Sequence, residues 1–130
     1  MTNKEIYLAA LRLIAESTDE SDNEDYADRA YYILAAFCST VHDINNALRH
    51  SQGLEALEAS EKVCLDENKA FPCDARLIPA AEHYLGAMLT IDAFPELSDK
   101  LYDKYCDIIS RIADAIPATV EKISDAYYFD

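Results

Sequence analysis

One apolar stripe at helical spacing constrains the fold of this chain more than any other feature. Its members recur every three or four residues: Tyr26, Ala30, Ile33, Phe37, Val41, Ile44 and Leu48. Because an α-helix makes one turn in 3.6 residues, this spacing places all of them on one face. The stripe predicts a continuous helix over 24–49, about 35–40 Å long at ~1.5 Å per residue, as the central spine of a small domain.

The same periodicity predicts helices along most of the remaining chain. They are expected over 3–16, 24–49, 75–92 and 95–116, with a shorter helix inside 54–65. Residues 66–74 are the predicted linker, because Phe71 precedes Pro72 and the residue before a proline avoids helical geometry. After Pro117, a further apolar spacing predicts a short C-terminal amphipathic segment over 117–130.

Individual residues refine these helices. Gly53 is expected to cap the C-terminus of the long helix, and Asp74 the N-terminus of the third. Gly86 lies inside the third helix, which indicates close packing against a neighbour. Leu54 and Leu57 are expected to face inward. The predicted apolar stripe of the third helix is Leu77, Ala81, Tyr84, Met88 and Ile91, and that of the fourth is Leu97, Leu101, Tyr105, Ile108 and Ile112.

Composition agrees with a helical domain. The 130 residues include only two glycines, too few for a nucleotide-cradling loop, a Rossmann turn or the turns of a β-sandwich. Apolar residues make up 51% of the chain, enough for a core. The sequence therefore predicts a single all-α domain over 1–130, an antiparallel bundle of four to five helices.

The net charge of −14 excludes several partners. Nucleic-acid affinity comes largely from Lys and Arg at phosphates, so direct nucleic-acid binding is not expected. The same sign disfavours anionic membrane surfaces. The N-terminal stretch lacks a basic region and a cleavage site, and no stretch approaches the ~20 apolar residues of a membrane span. We therefore expect a cytoplasmic protein.

The four cysteines are widely spread and form no CxxC pair, which excludes a zinc ribbon and a thioredoxin motif. Cys38 and Cys106 lie in apolar helical patterns and are interpreted as small core residues. Cys64 and Cys73 flank the predicted linker and can meet in space. All four are expected to be reduced in a cytosolic protein.

Candidate catalytic and metal-ligating residues are sparse. None of His42, His50 and His83 belongs to an ExxH or HExxH motif, and all three are interpreted as surface or packing residues. The acidic loop over 19–25 lacks the glycine and the ligand spacing of an EF-hand. The aspartates of the fourth helix, four residues apart, are typical of a solvated face, with a divalent-metal ledge as the alternative; they are Asp99, Asp103 and Asp107. No catalytic, cofactor or metal site is predicted.

One enzymatic alternative stays open. Asp22, Asp25 and Asp28, or Glu58 and Glu61, are faintly similar to the carboxylate pairs of all-α nucleotide pyrophosphohydrolases. Those enzymes hold magnesium with several Glu and Asp on two facing helices. The fuller Glu-Glu-x-x-Glu and Glu-x-x-Asp pattern is missing here.

The tyrosines point to protein contacts. In pairs such as Tyr31-Tyr32, one ring is expected to face the core and the other to face outward, where a tyrosine offers both area and a polar group. The end of the chain, residues 126–130, is apolar and is expected to dock on its own domain or on a neighbouring subunit. The interface candidates are Tyr102, Tyr105, Tyr127, Tyr128 and Phe129.

Residues 76–112 carry a family resemblance. Small residues and one aromatic residue mark their first helix: Ala80, Ala81, Tyr84, Gly86 and Ala87. An acidic break and a second helix with Leu101, Tyr102 and Tyr105 follow. This stretch, together with 25–37, resembles small all-helical head–tail connector (portal adaptor) proteins of long-tailed phages and prophages. Residues 54–74 have no counterpart in that pattern.

The resemblance implies a ring of roughly a dozen copies that docks under the portal, extends the DNA channel and has no enzymatic activity. An acidic channel wall would repel DNA and let it slide. The sequence thus predicts a non-enzymatic structural or adaptor protein that assembles with copies of itself or with a portal, and that is a virion component if the chain derives from a phage. The alternatives are an acidic protein-binding module (an immunity protein, an antitoxin or a DNA mimic) and the magnesium-dependent pyrophosphohydrolase.

Overall fold

A computed structural model describes residues 1–16, 23–58 and 64–116, most of which lie in packed α-helices. The helices are α1 (Asn3–Leu13), α2 (Glu24–Thr40), α3 (His42–Ser51), α4 (Ile78–Thr90) and α5 (Pro95–Ala115). Over these described ranges the only β-type pairing is one isolated bridge between Thr2 and Ala70. The predicted all-α bundle is therefore confirmed. The expected amphipathic segment over 117–130 lies outside the described residues.

Helix α1 begins at a capping box and ends earlier than predicted. The Thr2 hydroxyl accepts from the Glu5 amide at 3.2 Å, and the Glu5 carboxylate accepts from the Thr2 amide at 2.9 Å. These bonds hold the pKa of Glu5 below its usual range. The helix stops at Leu13 instead of residue 16, because Ala15 adopts a left-handed φ of 60°. Leu13, the last residue of the helix, is exposed, and Ile14 is buried in the core.

The predicted continuous helix over 24–49 is wrong in one respect, because it divides at Val41 into α2 and α3. Val41 has φ −97° and ψ 10°, and its amide bonds to the Phe37 and Ser39 carbonyls. The Thr40 hydroxyl also donates to the Ala36 carbonyl at 2.9 Å, a bond that often bends helices. The apolar stripe crosses the break undisturbed, since Phe37, Val41, Ile44 and Leu48 are all buried. The apolar spacing therefore predicts the buried face correctly but does not predict the break at Val41.

The central helix is α4 rather than the predicted 24–49 helix, since α1, α2 and α5 all pack against it. Helices α4 and α5 run antiparallel through the short turn 91–94. Ser98 donates to the Ala87 carbonyl at 2.7 Å, and Leu101 faces Gly86. A Cβ at Gly86 would lie 3.3 Å from side-chain carbons of both Ile14 and Leu101. The close packing predicted at this glycine is confirmed.

The buried face of α4 differs from the predicted one. Leu77 and Ala81 are buried as expected, but Ile91 is exposed, and the deepest large side chains of the helix are Leu85 and Leu89. Nearly every residue of α4 is apolar. Hydrophobic spacing alone therefore could not decide which side faces the core.

One cap ends α3 and another begins the turn that precedes α4. Gly53 has φ 76° and ends α3 with bonds from its own amide to the His50 carbonyl and from the Leu54 amide to the Arg49 carbonyl. This is a Schellman motif and confirms the predicted glycine cap. Asp74 accepts from the Arg76 amide at 2.9 Å. It caps a short 3-10 turn, Ala75–Leu77, that precedes α4.

No helix forms in the described part of the predicted 54–65 helix, residues 54–58 and 64–65, apart from a single 3-10 turn at 64–65. Leu54 and Leu57 are exposed instead of facing inward. Instead of helical hydrogen bonds, the Leu57 backbone bonds to the side chain of Asn46, which accepts from the Leu57 amide at 2.9 Å and donates to the Leu57 carbonyl at 3.1 Å. This pair of bonds attaches residue 57 to α3.

Aromatic rings fill the junction of α2, α4 and α5. The Phe37 ring lies within 6.2 Å, centroid to centroid, of the rings of Phe71, Tyr84 and Tyr105. Phe37 is fully buried, and burying such a side chain stabilises the fold by about 1.5–3 kcal/mol. Phe37, Phe71 and Tyr105 are buried, whereas Tyr84 is half-buried and reaches the protein surface.

Candidate functional site

A surface groove of about 450 Å³ lies between α2 and α4. The residues that line it are Asp28, Arg29, Tyr32, Ile33 and Ala36 from α2, and Tyr84 and Met88 from α4. Their spacing of three and four residues on each helix makes two parallel rows, one per helix. We call this surface the aromatic groove. Its geometry follows from the packing of α2 on α4, so it is a feature of the fold itself.

The aromatic groove exposes apolar surface that the core does not use. Tyr32 is 69% exposed and stands at its edge. Ile33, Tyr84 and Met88 are half-buried beneath it. Tyrosine and methionine in an exposed concave surface are typical of protein-binding sites.

The groove is close to neutral in a strongly acidic chain. Asp28 and Arg29 are its only charged lining residues. The Arg29 guanidinium also pairs with Asp25 at 3.2 Å and lies 5.8 Å from the centre of the Tyr26 ring. The lining therefore has no formal net charge, against −14 for the whole chain. Another acidic molecule would meet less repulsion here than across the average surface.

Aromatic surface extends from the groove towards α5. The Tyr84 ring lies 5.0 Å from that of Tyr105, which lies 5.4 Å from that of Tyr102. Tyr102 is 42% exposed. Burial raises the pKa of the Tyr84 phenol, and the nearby Tyr102 adds to that rise. Tyr102 does not line the groove, but its ring is joined to that of Tyr84 through the buried ring of Tyr105.

The structure separates the predicted interface tyrosines. Tyr102 is exposed, whereas Tyr105 is only 7% exposed and belongs to the core. Tyr127, Tyr128 and Phe129 lie outside the described residues. The burial of Tyr105 follows from its place in the apolar stripe of α5, between Leu101 and Ile108, which the sequence had already indicated.

Sequence reasoning missed Tyr32 as an interface candidate, although it expected one outward-facing ring in the Tyr31-Tyr32 pair. Tyr31 is half-buried, and its ring lies 5.8 Å from that of Tyr7. Tyr32 is the outward ring. The available signal was its position outside the stripe of α2, but only the packing of α4 shows that the ring borders a groove.

The cysteines are arranged differently from the sequence-based expectation. The prediction that Cys106 is a core residue is wrong, because Cys106 is exposed on α5. The face of α5 that carries it does not meet another described helix. Cys64 is fully buried, and its sulfur lies 3.1 Å from that of Cys38. Cys73 is half-buried beside them. The thiol that meets Cys64 most closely is therefore Cys38 of α2.

The described carboxylates and histidines do not converge on a metal site. Across residues 1–16, 23–58 and 64–116, no group of three or more His, Cys, Asp or Glu side chains is arranged to hold a metal ion. Asp99 and Asp103 are exposed, and Asp107 pairs with Arg111 at 3.2 Å. Three of the carboxylates that are similar to those of the hydrolases are exposed: Asp25, Asp28 and Glu58. Asp25 pairs with Arg29, and Asp28 lines the groove. Asp22 and Glu61 lie outside the described residues.

The histidines make local bonds. A ring nitrogen of His42 lies 3.2 Å from the Asn46 side-chain nitrogen, and one of His83 lies 2.7 Å from the Pro79 carbonyl oxygen. His50 is exposed at the end of α3. These bonds stay within single helices, in keeping with the surface or packing roles expected from the sequence.

Comparison with known proteins adds no relative. A scan against models of protein families matches no family, and searches of curated proteins and of solved structures find no similar chain. None of the helices described here combines the length and the apolarity that a membrane crossing requires. What the fold defines is a small all-α bundle with an exposed aromatic groove.

Proposed function

We propose that this protein is a non-enzymatic structural or adaptor protein that assembles with copies of itself through the aromatic groove, in the manner of a phage or prophage head–tail connector. The observation that carries the proposal is the groove between α2 and α4, with Tyr32 at its edge and Tyr84 and Met88 at its base. Exposed tyrosine and methionine in a concave apolar surface support a docking role.

The charge distribution supports a second copy as the partner. Two chains that each carry −14 repel one another over most of their surfaces. The groove lining has no formal net charge, so it is a surface that two copies can bring together at low electrostatic cost. The exposed Tyr102 on α5 adds apolar area beside it. The resemblance of 76–112 to connector proteins is a further reason to propose a ring of copies.

The charge also favours a second candidate function, an acidic module that binds a basic partner. Such complexes associate through long-range attraction and weaken as salt screens it. Self-association of acidic copies has the opposite dependence, because salt screens their mutual repulsion. Salt dependence therefore separates the two candidates.

Native mass spectrometry, together with light scattering over a range of protein and salt concentrations, tests the proposal. We expect oligomers that grow with protein concentration and become more stable as salt rises from about one tenth molar to about half molar. A closed ring would support the connector function specifically. A monomer under all these conditions, together with a salt-sensitive 1:1 complex with a basic protein, would favour the acidic binding module.

A further inference from the structure

Three thiols meet beneath the segment that joins α3 to α4. Cys38 comes from α2, while Cys64 and Cys73 come from the two ends of the 64–73 stretch. The Cys38 and Cys64 sulfurs are 3.1 Å apart. Cys64 is fully buried in the same core cluster as Phe37, and Cys38 and Cys73 are partly buried against that cluster.

Backbone contacts hold this arrangement from both sides. The Asn3 amide donates to the Lys69 carbonyl at 2.9 Å, and the Asn3 side-chain amide donates to the Asp66 carbonyl at 2.9 Å. Further along, the Asp74 amide donates to the Asn45 side-chain oxygen at 2.7 Å. The segment that carries Cys64 and Cys73 is thus anchored to α1 at one end and to α3 at the other, so the contact with Cys38 belongs to the fold.

We propose that Cys38 and Cys64 are a redox-modification site, at which a small-molecule disulfide such as oxidised glutathione converts the two thiols into an intramolecular disulfide. The sulfur atoms need to approach by only about 1 Å to reach the ~2.05 Å of an S–S bond. This redox-modification site does not depend on the proposed docking function.

The reaction balances as two exchange steps. Cys38 loses its proton and its partly exposed sulfur attacks one sulfur of the small disulfide, which leaves a mixed disulfide at Cys38 and releases one small thiolate that takes up this proton. Cys64 then loses its own proton and attacks the Cys38 sulfur, and the second small thiolate that is expelled takes up the Cys64 proton. Two protein thiols are oxidised by two electrons, and one small disulfide is reduced to two thiols.

The ionisation of the pair favours the second step. A hydrogen bond from Cys38 lowers the pKa of the Cys64 thiol, and the same bond, with contributions from Cys73 and from burial, raises that of Cys38. Cys64 is therefore the thiol of the pair that loses its proton more readily, as the second, resolving step requires. It is also shielded from other oxidants by its burial.

The test uses the Cys106→Ser chain, which lacks the exposed thiol of α5 and so avoids bridges between molecules. The protein is equilibrated with mixtures of reduced and oxidised glutathione, its free thiols are alkylated, and its mass and peptides are mapped. We expect a species two hydrogen atoms lighter with linked Cys38 and Cys64 peptides. Its thermal midpoint should rise by roughly 5–15 °C, and a reducing agent should reverse the change.

Two further variants make the assignment specific. Cys73→Ser should keep the bridge, and Cys38→Ala should abolish it and leave Cys64 to be alkylated only after unfolding. Three results would overturn the proposal: a bridge from Cys73 to either partner in place of Cys38–Cys64, a mixed disulfide that persists at Cys38, or two thiols that stay reduced throughout the glutathione range.

Discussion

The rings of Tyr84 and Tyr105 lie 5.0 Å apart with their planes tilted by 56°, so the base of the aromatic groove is packed directly on a core residue. Tyr84 faces the groove, and Tyr105 is buried between α2, α4 and α5. The groove and the core therefore share one aromatic cluster. A side chain that disturbs the core at this point disturbs the groove as well, while Tyr102 and Tyr32 can be changed from outside.

Replacement of Tyr105 should separate core tyrosines from surface ones. We expect Tyr105→Ala to lower the free energy of unfolding by roughly 3–5 kcal/mol, because it leaves a cavity beside Phe37 and Tyr84. Tyr102→Ala should cost about 1 kcal/mol, the value of one exposed ring contact. Urea denaturation followed by circular dichroism measures both. Equal losses in the two variants would show that Tyr102 is a core residue.

Gly86 should tolerate almost no added volume. A Cβ there already lies 3.3 Å from Ile14 and Leu101, so the larger Gly86→Val side chain must push α4 away from α1 or α5. We expect a loss of about 1–3 kcal/mol in unfolding free energy. Gly86→Ala is the matched control, because its gain in helix propensity offsets part of the tight contact. A valine variant as stable as the alanine variant would contradict the close packing described here.

Asp74 should make stability depend on acid. Its bonds with Arg76, and with Gln52, hold the pKa of its carboxyl below the ordinary value of 3.8. The ionised form is therefore favoured in the folded chain. Its contribution to stability is complete above pH 3.8 and is lost as the pH falls through the lower folded pKa.

We expect Asp74→Asn to lower the free energy of unfolding by about 1–2 kcal/mol at neutral pH. The stability of this variant should also depend less on pH than that of the wild type. The gap between wild type and variant should narrow as the pH falls below about 4. Thermal melts between pH 2.5 and 7 measure this gap, and Asp99→Asn, at an exposed position of α5, is the control. A gap that stays constant over this range would mean that Asp74 acts without its charge.

Periodicity predicted most of the helical fold, because apolar spacing reports the buried face of a helix directly. The stripe from Phe37 to Leu48 is buried as expected, and α5 begins at Pro95 as expected. The break at Val41 was not predictable in this way. It changes one backbone conformation while it leaves the spacing of the stripe intact.

The candidate site was harder to predict than the fold. A groove depends on which faces of two helices meet. The polar pair Glu82 and His83 marks an outward side of α4, but it does not indicate which apolar neighbours line a groove with α2. The sequence indicated an outward ring at Tyr31-Tyr32 but not its position opposite Met88. In the same way, the meeting of Cys38 with Cys64 depends on the path of the 64–74 segment. That path is set by the hydrogen bond that Asn3 donates to the Asp66 carbonyl and by the one that Asn45 accepts from the Asp74 amide, and not by hydrophobic spacing.

Sedimentation equilibrium on groove variants tests the central claim most directly. Tyr32→Ser removes the exposed ring that lines the groove, and Tyr102→Ser, combined with it, removes the exposed ring on α5. Leu54→Ser removes a similarly exposed apolar side chain outside the groove. We expect wild type and Leu54→Ser to associate alike, and the double variant to associate at least about tenfold more weakly, a loss of ~1.4 kcal/mol. Wild type that stays monomeric at every concentration, or a double variant that associates as strongly as wild type, would contradict the account.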